Sequence, residues 1–376
     1  MNHNFKLVSV IIPALRRPDL TARCLSFLAQ QSLSPKNYEI VIVENNALPD
    51  LILRDPLGPN VRRILLDRNY GTTASINVGI AGSSSTYVLL LNNDVEPEPQ
   101  FIAKLVAAIE VDPNRAFATG KLLNAAQKNY LDGAGDALLL GGGAYRLGHG
   151  DRDTGQFEKA CWILAGCGAG TLFRRSVLEE IRGLDEDFFA YLDDLDLAIR
   201  AQLMGYTGCY VPDALAYHIG SATLGSPMHP KVVELITRNQ LCLIAKCYPA
   251  AVLWKLLPRI LVFQMLWLAT MVRRKRLLPY CQGLLGAGKL ILRILRKRAR
   301  VLKQKRITNR EFVKILCLSE WQIFDWHNKR PQGCRSRLLN VYFWFFGPPP
   351  HPNCVSSTRN SIRQDPLNRT SGCEKL

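Results

Sequence analysis

The sequence predicts an α/β protein in which a mostly parallel sheet is flanked by helices and followed by a basic helical extension. Short apolar runs rich in β-branched residues alternate with amphipathic helical patterns through the first half of the 376 residues. This alternation stops near residue 240. Residues 251–310 then carry sixteen Lys or Arg and no Asp or Glu, which predicts one anionic surface as the partner of this segment.

Four apolar runs predict strands; the first two and the fourth are typical of strands buried on both faces, and the third is weaker. They are LVSVII (7–12), YEIVIV (38–43), RRILL (62–66) and TYVLLL (86–91). Helical patterns lie between or after them: a helix capped by Asp19, a helix over TTASINVGIA, and a helix within 98–110. Further helices are predicted near 176–181 and over 193–204. The glycine-rich segment 120–160 predicts an irregular connection.

The second half of the chain has a different character. The apolar run 260–272 is thirteen residues long, short of the about 20 that a membrane-spanning helix needs, so we expect it to lie in a membrane interface. Residues 288–306 predict a cationic amphipathic helix. The expected domains are 1–247, a basic membrane-associating helical region 248–346, and a disordered tail 347–376.

Polar residues follow three of the predicted strands: PALRR (13–17), ENN (44–46) and NNDVEPEP (92–99). Ligands of an open parallel sheet bind at the carboxyl ends of its strands, so these three loops are expected to meet in one crevice. Each loop taken alone is also explained as a polar turn.

Asp94 is the most specific single feature of these loops, because it stands where a buried strand ends and Glu96 follows two residues later. Mg²⁺ and Mn²⁺ prefer such hard oxygen ligands, usually one or two carboxylates together with phosphate oxygens. A solvated acidic turn is the alternative interpretation.

A second acidic group begins a predicted helix. Asp193 is placed to cap it, Asp194 borders its apolar stripe, and Asp196 can pair with Arg200 one turn later. The helix dipole favours an ionised carboxylate in the first turn, which suits a general base. Three acidic residues that merely decorate a helix start remain the alternative. His218 follows a strand-like run, and a lone histidine is more often structural than a ligand.

Gly71 precedes a helix start, where free backbone N–H groups can meet an anion. The chain has no GxGxxG pattern and no Walker lysine, which leaves little support for a dinucleotide or P-loop site. Its eleven cysteines include no CxxC pair, which argues against structural zinc and fits reduced thiols in the cytoplasm. No signal peptide is expected from the first residues.

The ordered motifs resemble those of family-2 glycosyltransferases with the A-type glycosyltransferase fold, and most closely a bacterial rhamnosyltransferase-like group. The resemblance covers about residues 7–247 and includes VSVIIPALRR, EIVIVENN, RNYGTTASINVGI, YVLLLNNDVEP, the segment 168–206 and YHIGSAT.

The resemblance implies a role for each matching position. The nucleotide-sugar pocket would be lined by Pro13, Ala14, Leu15, Glu44, Asn69, Gly71, Asn77 and Asn93. Asp94 would be the ligand of a Mg²⁺ or Mn²⁺ ion, with His218 and Glu96 as further metal ligands. Asp194 would be the catalytic base, with Asp193 beside it in the catalytic pair.

Four positions depart from the pattern of the family. Leu15 stands where many members have Tyr, Arg16 replaces Asn, and Glu44 replaces an Asp that reads the base ring. Asp193 replaces Glu, a chemically mild change. The first three leave the choice between a uridine and a thymidine donor open.

The expected function is metal-dependent, inverting transfer of a sugar, with rhamnose one option, from a nucleoside-diphosphate donor to a glycan or lipid-linked acceptor of surface polysaccharide. We expect a peripheral location at the cytoplasmic face of the cell membrane, on an anionic lipid surface. The alternative is a catalytically silent membrane-bound scaffold. No nucleic-acid partner is expected, because Tyr280 is the one aromatic residue in the basic run 273–310.

Overall fold

The computed structural model describes residues 6–48, 58–220, 225–226 and 228–350. Four of the ten strands in its main sheet are the predicted ones, which are all confirmed: β1 (Lys6–Ala14), β2 (Tyr38–Glu44), β3 (Val61–Leu65) and β4 (Ser85–Leu91). They run parallel in the spatial order β4-β1-β2-β3. The chain therefore changes direction across the sheet at β1, which places a crevice at the carboxyl ends of β1 and β4.

The rest of the sheet mixes parallel and antiparallel pairs. Its main strands are β5 (Val95–Pro97), β6 (Arg115–Asn124), β10 (Cys161–Trp162), β11 (Gly170–Arg174) and β12 (Thr207–His218). β11 lies antiparallel between β4 and β6, whereas β12 runs parallel to β6 and antiparallel to β5 and β10. These pairings carry the end of β12 to the loop that follows β4.

Helices cover both faces of the sheet, and their positions follow the predicted patterns. They are α1 (Pro18–Leu28), α2 (Thr72–Ala81), α3 (Phe101–Glu110), α4 (Arg175–Glu180) and α5 (Asp193–Leu203). The predicted cap of α1 is wrong: the N-cap residue is Arg17, Pro18 occupies the first turn, and Asp19 lies inside that turn and pairs with Arg17 at 2.8 Å. The fixed φ of Pro18 suits a first helical position.

The prediction of an irregular connection over 120–160 is wrong. The segment contains the end of β6 and three short strands, β7 (Leu131–Gly133), β8 (Asp136–Leu138) and β9 (Ala144–Arg146), and much of it is buried. Packing explains several of its glycines: a Cβ atom on Gly143, for example, would lie 2.2 Å from the ring of Phe263. The strands are too short to show a hydrophobic period in the sequence.

Five helices follow the sheet: α6 (Pro230–Cys247), α7 (Ala250–Arg273), α8 (Leu277–Gln304), α9 (Asn309–Lys329) and α10 (Arg337–Phe346). The predicted apolar helix 260–272 is too short, since α7 continues through Pro258 for 24 residues. Within the described residues, α7 is the one helix that is long and apolar enough to cross a membrane by those two criteria. The predicted amphipathic helix 288–306 corresponds to the second half of α8.

The C-terminal helices are bonded to the rest of the molecule. On α9, the hydroxyl of Ser319 accepts a hydrogen bond from the N–H of Leu138, and the carboxylate of Glu320 accepts one from the N–H of Leu140. Glu320 also pairs with Arg259 of α7 at 2.8 Å. These bonds join the predicted region 248–346 to the predicted domain 1–247. Of the tail predicted to be disordered, residues 351–376 lie outside the described residues.

Candidate active site

Three strand ends supply the first residues of the site. The register of β1 and β2 places Ala14 beside Glu44, and both side chains are buried. Pro13 and Leu15 flank Ala14 and are partly exposed. Asp94 follows β4, the neighbour of β1 on its other side. The loops that the sequence predicts to converge are thus adjacent at one edge of the sheet.

Asp94 is paired with His218. The pairing of β5 with β12 brings Val95 opposite His218, and the N–H of Ile219 donates to the carbonyl oxygen of Asp94 at 3.1 Å. As a result, Nε2 of His218 lies 3.2 Å from Oδ1 of Asp94, with the two residues 7% and 8% exposed. Two of the three predicted metal ligands therefore meet.

Asp132 completes this group and is absent from the sequence prediction. Its Oδ2 lies 2.8 Å from Nδ1 of His218. Burial lowers the pKa of His218, but the hydrogen bonds to Asp132 and Asp94 outweigh it and raise the pKa to about 9. Burial likewise raises the pKa of Asp132, and the partners His218 and Arg146 bring it down to about 2. Asp132 thus fixes the orientation of the His218 ring.

Asp94 and His218 can hold a Mg²⁺ or Mn²⁺ ion if the ion displaces the proton on Nε2 of His218, because the raised pKa keeps this ring protonated and a metal ligand must be neutral imidazole. Ligands at about 2.1 Å on neighbouring corners of an octahedron lie about 3 Å apart, close to the separation of the Asp94 and His218 atoms. Within the described ranges, no three His, Cys, Asp or Glu side chains gather tightly enough to enclose a metal ion. Phosphate oxygens and water would have to supply the remaining ligands.

Glu96, the third predicted metal ligand, faces α1. Its Oε1 lies 2.6 Å from Nε of Arg23, and the residue is buried. Nearby, Asn93 donates to the hydroxyl of Thr21 on the same helix at 3.1 Å. A metal ion that engaged Glu96 would have to share this carboxylate with Arg23.

Asp194 lies at the start of α5. Its Oδ2 accepts a hydrogen bond from the N–H of Gly168 at 3.1 Å, and its Oδ1 accepts one from the N–H of Leu195 at 2.8 Å. The expectation that the helix dipole keeps this group readily ionised is wrong. Burial, reinforced by the nearby Asp136 and Asp193 carboxylates, holds the pKa of Asp194 well above its usual range. A raised pKa makes the carboxylate a stronger base.

Asp193 precedes Asp194 and also has a raised pKa. Burial is the main cause, the charge of Asp196 adds to it, and the pKa is about 6. Asp196 itself is fully buried and pairs with Arg200 at 2.9 Å, as the spacing predicts. The three acidic residues therefore have different environments. Asp196 forms a buried structural pair with Arg200, whereas Asp193 and Asp194 have raised pKa values.

A chain of polar contacts joins the Asp94 end of the site to the Asp194 end. Arg146 lies 3.4 Å from Asp132 and 3.0 Å from Asp136, and the Asp136 carboxylate neighbours Asp194. The full connection runs through Asp94, His218, Asp132, Arg146, Asp136 and Asp194. Asp132, Arg146 and Asp136 come from the segment 120–160, which the sequence predicts to be an irregular connection.

The loop before Asp193 is held in an unusual conformation. Phe189, Tyr191 and Leu192 all have φ between 59° and 68°, a region that non-glycine residues seldom adopt. The side chain of Asn239 on α6 donates to the carbonyl oxygens of Phe188, Ala190 and Tyr191 at 2.8–3.0 Å. Such strain persists where the surroundings enforce it, and it is frequent at active sites.

The loop at 69–71 is built around Asn45, a second residue that the sequence prediction omits. The amide of Asn45 donates to Oδ1 of Asn69 at 2.8 Å and accepts from the N–H of Tyr70 at 2.9 Å. Gly71 has φ +91°, and a Cβ there would lie 2.6 Å from the Phe189 carbonyl oxygen. Its N–H already donates to Asn69, so this group is not free for an anion as expected.

Asn77, predicted to contact the nucleotide sugar, is bonded within the protein. Its side chain exchanges hydrogen bonds with the backbone of Leu184 and donates to Glu186 at 3.0 Å. Asn77 therefore joins α2 to the segment that leads to the strained loop, and any contact with a ligand would be additional to these bonds.

Residues 9–182 match the model of the family described as glycosyl transferase family 2. Among curated proteins, the chain is 28% identical over 223 residues to the O-antigen biosynthesis protein RfbC of Myxococcus xanthus, covering 56% of this chain and 17% of that protein. It is 29% identical over 225 residues to the N-acetylglucosaminyl-diphospho-decaprenol L-rhamnosyltransferase of Mycobacterium tuberculosis, covering 51% of this chain and 70% of that protein. The chain thus spans about a sixth of the first relative's length.

Among solved structures, the chain resembles the crystal structure of GalNAc-T7 with UDP, GalNAc and Mn²⁺. The TM-score is 0.57 at 15% identity, and the match covers 88% of this chain and 59% of that one. This likeness shows the A-type glycosyltransferase fold, as predicted from the sequence, and nothing finer.

Proposed function

We propose that the chain, whose residues 9–182 match glycosyl transferase family 2, transfers a sugar from a nucleoside-diphosphate donor with inversion, using a divalent metal and Asp194 as base. The observation that carries this proposal is the contact of Asp94 with His218 at the end of β4. The names of the relatives, which include an L-rhamnosyltransferase, make rhamnose one candidate sugar.

The chain's own residues supply the first requirement of this reaction, which is neutralisation of the leaving diphosphate. Asp94 and His218 would hold the metal, with Asp132 orienting the His218 ring through its hydrogen bond of 2.8 Å. A Mg²⁺ or Mn²⁺ ion bound there would act as a Lewis acid on the diphosphate. Asp132 is thus expected to matter although it would not touch the ligand.

The second requirement is a base for the acceptor hydroxyl. Asp194 suits this role because its raised pKa strengthens it as a base, while the N–H groups of Gly168 and Leu195 fix its two oxygens. One base and a departing diphosphate suffice for a single displacement, which inverts the anomeric centre. The proposal leaves the nucleobase of the donor unassigned, because Leu15 and Glu44 depart from the family pattern.

We further propose that the acceptor is lipid-linked and that the chain works at the cytoplasmic face of the membrane as a peripheral protein. α7 exposes apolar residues on a single helical stripe, since Trp254, Leu261, Met265, Leu268 and Val272 recur at intervals of three, four and seven. The opposite side of α7 packs on the protein through residues such as Phe263. A helix with one face occupied in this way suits docking on a surface better than crossing it.

α8 carries a second stripe of the same kind. Leu277, Leu278, Leu284, Leu285, Ile291, Leu292 and Leu295 are exposed and repeat at a spacing of seven. Exposed basic side chains such as Arg274 and Arg296 accompany them. Apolar stripes beside basic residues fit an anionic lipid interface. The exposed Trp344 and Phe345 of α10 suit the same environment.

Some of the basic residues in 251–310 pair with acidic residues of the protein itself, so fewer of them are available to an external anionic surface than the sequence suggests. Arg293 and Lys297 pair with acidic residues near 185–187, Arg259 pairs with Glu320, and Arg306 pairs with Glu180. The lipid attraction must therefore come from the remaining basic residues.

Thermal melts of the full chain with a panel of nucleotide sugars, each with Mn²⁺, with Mg²⁺ and with EDTA, test the proposal. We expect metal-dependent stabilisation by one donor, followed by transfer from that donor to a polyprenyl-diphosphate saccharide. Stabilisation without any transfer would favour the silent scaffold instead. The absence of stabilisation by every donor would contradict the donor site itself.

A further inference from the structure

Two faces of α8 make different contacts. One carries the exposed apolar residues between Leu277 and Leu295, called here the leucine stripe, and the other faces the segment that leads to the proposed base. Nζ of Lys297 is bonded to the carboxylates of Asp185 and Asp187, the latter at 2.6 Å, and Arg293 reaches Asp187 at 2.6 Å. Both acidic side chains are almost fully buried. One helix thus joins the proposed lipid face to the interior of the active-site segment.

Asp185 is the centre of this contact. Besides Lys297 it binds Lys246 of α6 at 2.5 Å, and Lys246 is 1% exposed. Oδ1 of Asp185 also accepts from the N–H of Asp187 and so caps the short 3₁₀ helix Glu186–Phe188. Two lysines from two helices therefore fix one turn of chain. The pairing has a large electrostatic effect: burial would raise the pKa of Asp185, yet the two lysines lower it to about 2.

The chain leaves this turn directly into the strained loop that ends at Asp193 and Asp194. Phe189, the residue after the 3₁₀ helix, already has φ 63°. Because the strained conformations are enforced by contacts from outside the loop, a shift of the turn at 185–187 would be passed on to the first turn of α5. Lys297 and Arg293 both reach this turn from α8, but Lys297 contacts Asp185 and Asp187, whereas Arg293 contacts Asp187 alone of the two.

We propose that Lys297 is a positioning residue for the base Asp194, and that through it α8 couples docking of its leucine stripe on an anionic bilayer to order in the loop 186–194. The proposal rests on the proposed function for the role of Asp194 and for the membrane. The contacts that transmit the effect are those of Lys297 with Asp185 and Asp187. Without them Arg293 still pairs with Asp187, but Asp185 loses its partner from α8.

The test is hydrogen exchange of the backbone amides 186–194 in the full chain, with and without vesicles of phosphatidylglycerol and phosphatidylcholine. The variants are Lys297→Met, Lys297→Arg, and the control Lys159→Met, which removes the same charge from an exposed position outside the proposed lipid face. The amides of this loop should exchange about tenfold faster in Lys297→Met, while Lys297→Arg and Lys159→Met stay near wild type. Vesicles should slow hydrogen exchange of the loop amides in the wild-type protein and not in Lys297→Met.

The outcomes separate this proposal from the proposed function. Equal loop exchange in Lys297→Met and Lys159→Met would overturn the positioning role. Vesicles that bind the wild-type protein without slowing the loop would overturn the coupling and leave the membrane proposal intact. Vesicles that do not bind at all would contradict both the membrane proposal and the coupling, whereas donor stabilisation would be unaffected.

Discussion

Nε2 of His218 lies 3.2 Å from Oδ1 of Asp94, although the two residues are far apart in the chain. The short strand β5 and the end of β12 create this contact, since Val95 pairs with His218. The site at the end of β4 therefore depends on the antiparallel part of the sheet as well as on the parallel part.

Asp94→Asn should abolish transfer and metal-dependent donor binding, because an amide replaces the carboxylate that would bind the metal. Thermal melts with donor plus Mn²⁺ measure the binding. Asp213→Asn, an exposed change on β12, is the matched control and should behave as wild type. Metal-dependent stabilisation that survives in Asp94→Asn would remove this residue from the metal site.

Asp194→Asn should keep donor binding but lower kcat by about 10²–10⁴-fold, the usual contribution of a positioned base. The isosteric amide keeps an oxygen for the N–H of Gly168 and loses the ability to take a proton. Asp193→Asn should be the milder variant in the same assay. If the two variants exchange behaviour, Asp193 is the base.

Asp136→Asn should move the acid limb of the pH–rate profile to lower pH. The charge of Asp136 helps to raise the pKa of Asp194, so its removal lets the base stay ionised in more acidic solution. Activity requires the ionised form and is lost as pH falls through this raised pKa. The profile of kcat against pH for wild type, Asp136→Asn and Asp213→Asn measures the shift, and an unchanged acid limb would contradict the contact.

Asn239→Ala should lower both the melting temperature and kcat, because three carbonyl groups of the strained loop lose their donor. A hydrogen bond contributes about 1 kcal/mol, so we expect a loss of about 2–4 kcal/mol in the free energy of unfolding. Asn239→Asp has the same shape but presents an acceptor to those carbonyl oxygens, and urea unfolding should find it no more stable than Asn239→Ala. A stable, active Asn239→Asp protein would show that the hydrogen bonds from Asn239 do not hold the loop in place.

Leu285→Asp and Leu292→Asp should each weaken binding to anionic vesicles roughly tenfold to a hundredfold, since burying one leucine is worth about 1.5–3 kcal/mol. Leu65→Asp, an exposed change on β3, is the control. Cosedimentation with phosphatidylglycerol vesicles measures the effect, with partial release expected in high salt. Resistance of wild-type protein to alkaline carbonate extraction would indicate that α7 crosses the membrane.

The parallel strands and their helices are predictable from sequence because each forms a long, periodic or continuously apolar run. The segment 98–110, for example, contains α3, whose buried Phe101, Leu105 and Ile109 recur at intervals of four. The same reasoning finds Asp94 and Asp194, since both stand at the border of such a run. Sequence reasoning stops at β7 to β9, which are three residues each and carry no readable period.

Asp132, Asp136 and Arg146 are therefore missed, although they connect the two ends of the site. Asn239 is missed for another reason: its partners lie about fifty residues earlier, and nothing local marks a helical asparagine as a clamp. Glu96 is the opposite case. Its spacing from Asp94 suggests a metal ligand, but in the fold its carboxylate pairs with Arg23.

The lysine pair that holds Asp185 has a consequence for how the protein responds to acid. A carboxyl group whose pKa is lowered to about 2 stabilises the fold above the unfolded value near 3.8, and that contribution disappears only as the pH falls through about 2. The pKa of Asp193, by contrast, is about 6, and that of Asp194 is also raised. Acid that protonates the proposed base, at a pH well above 2, would thus leave the lysine pair on Asp185 intact, so inactivation in that range should reverse fully on neutralisation, without refolding.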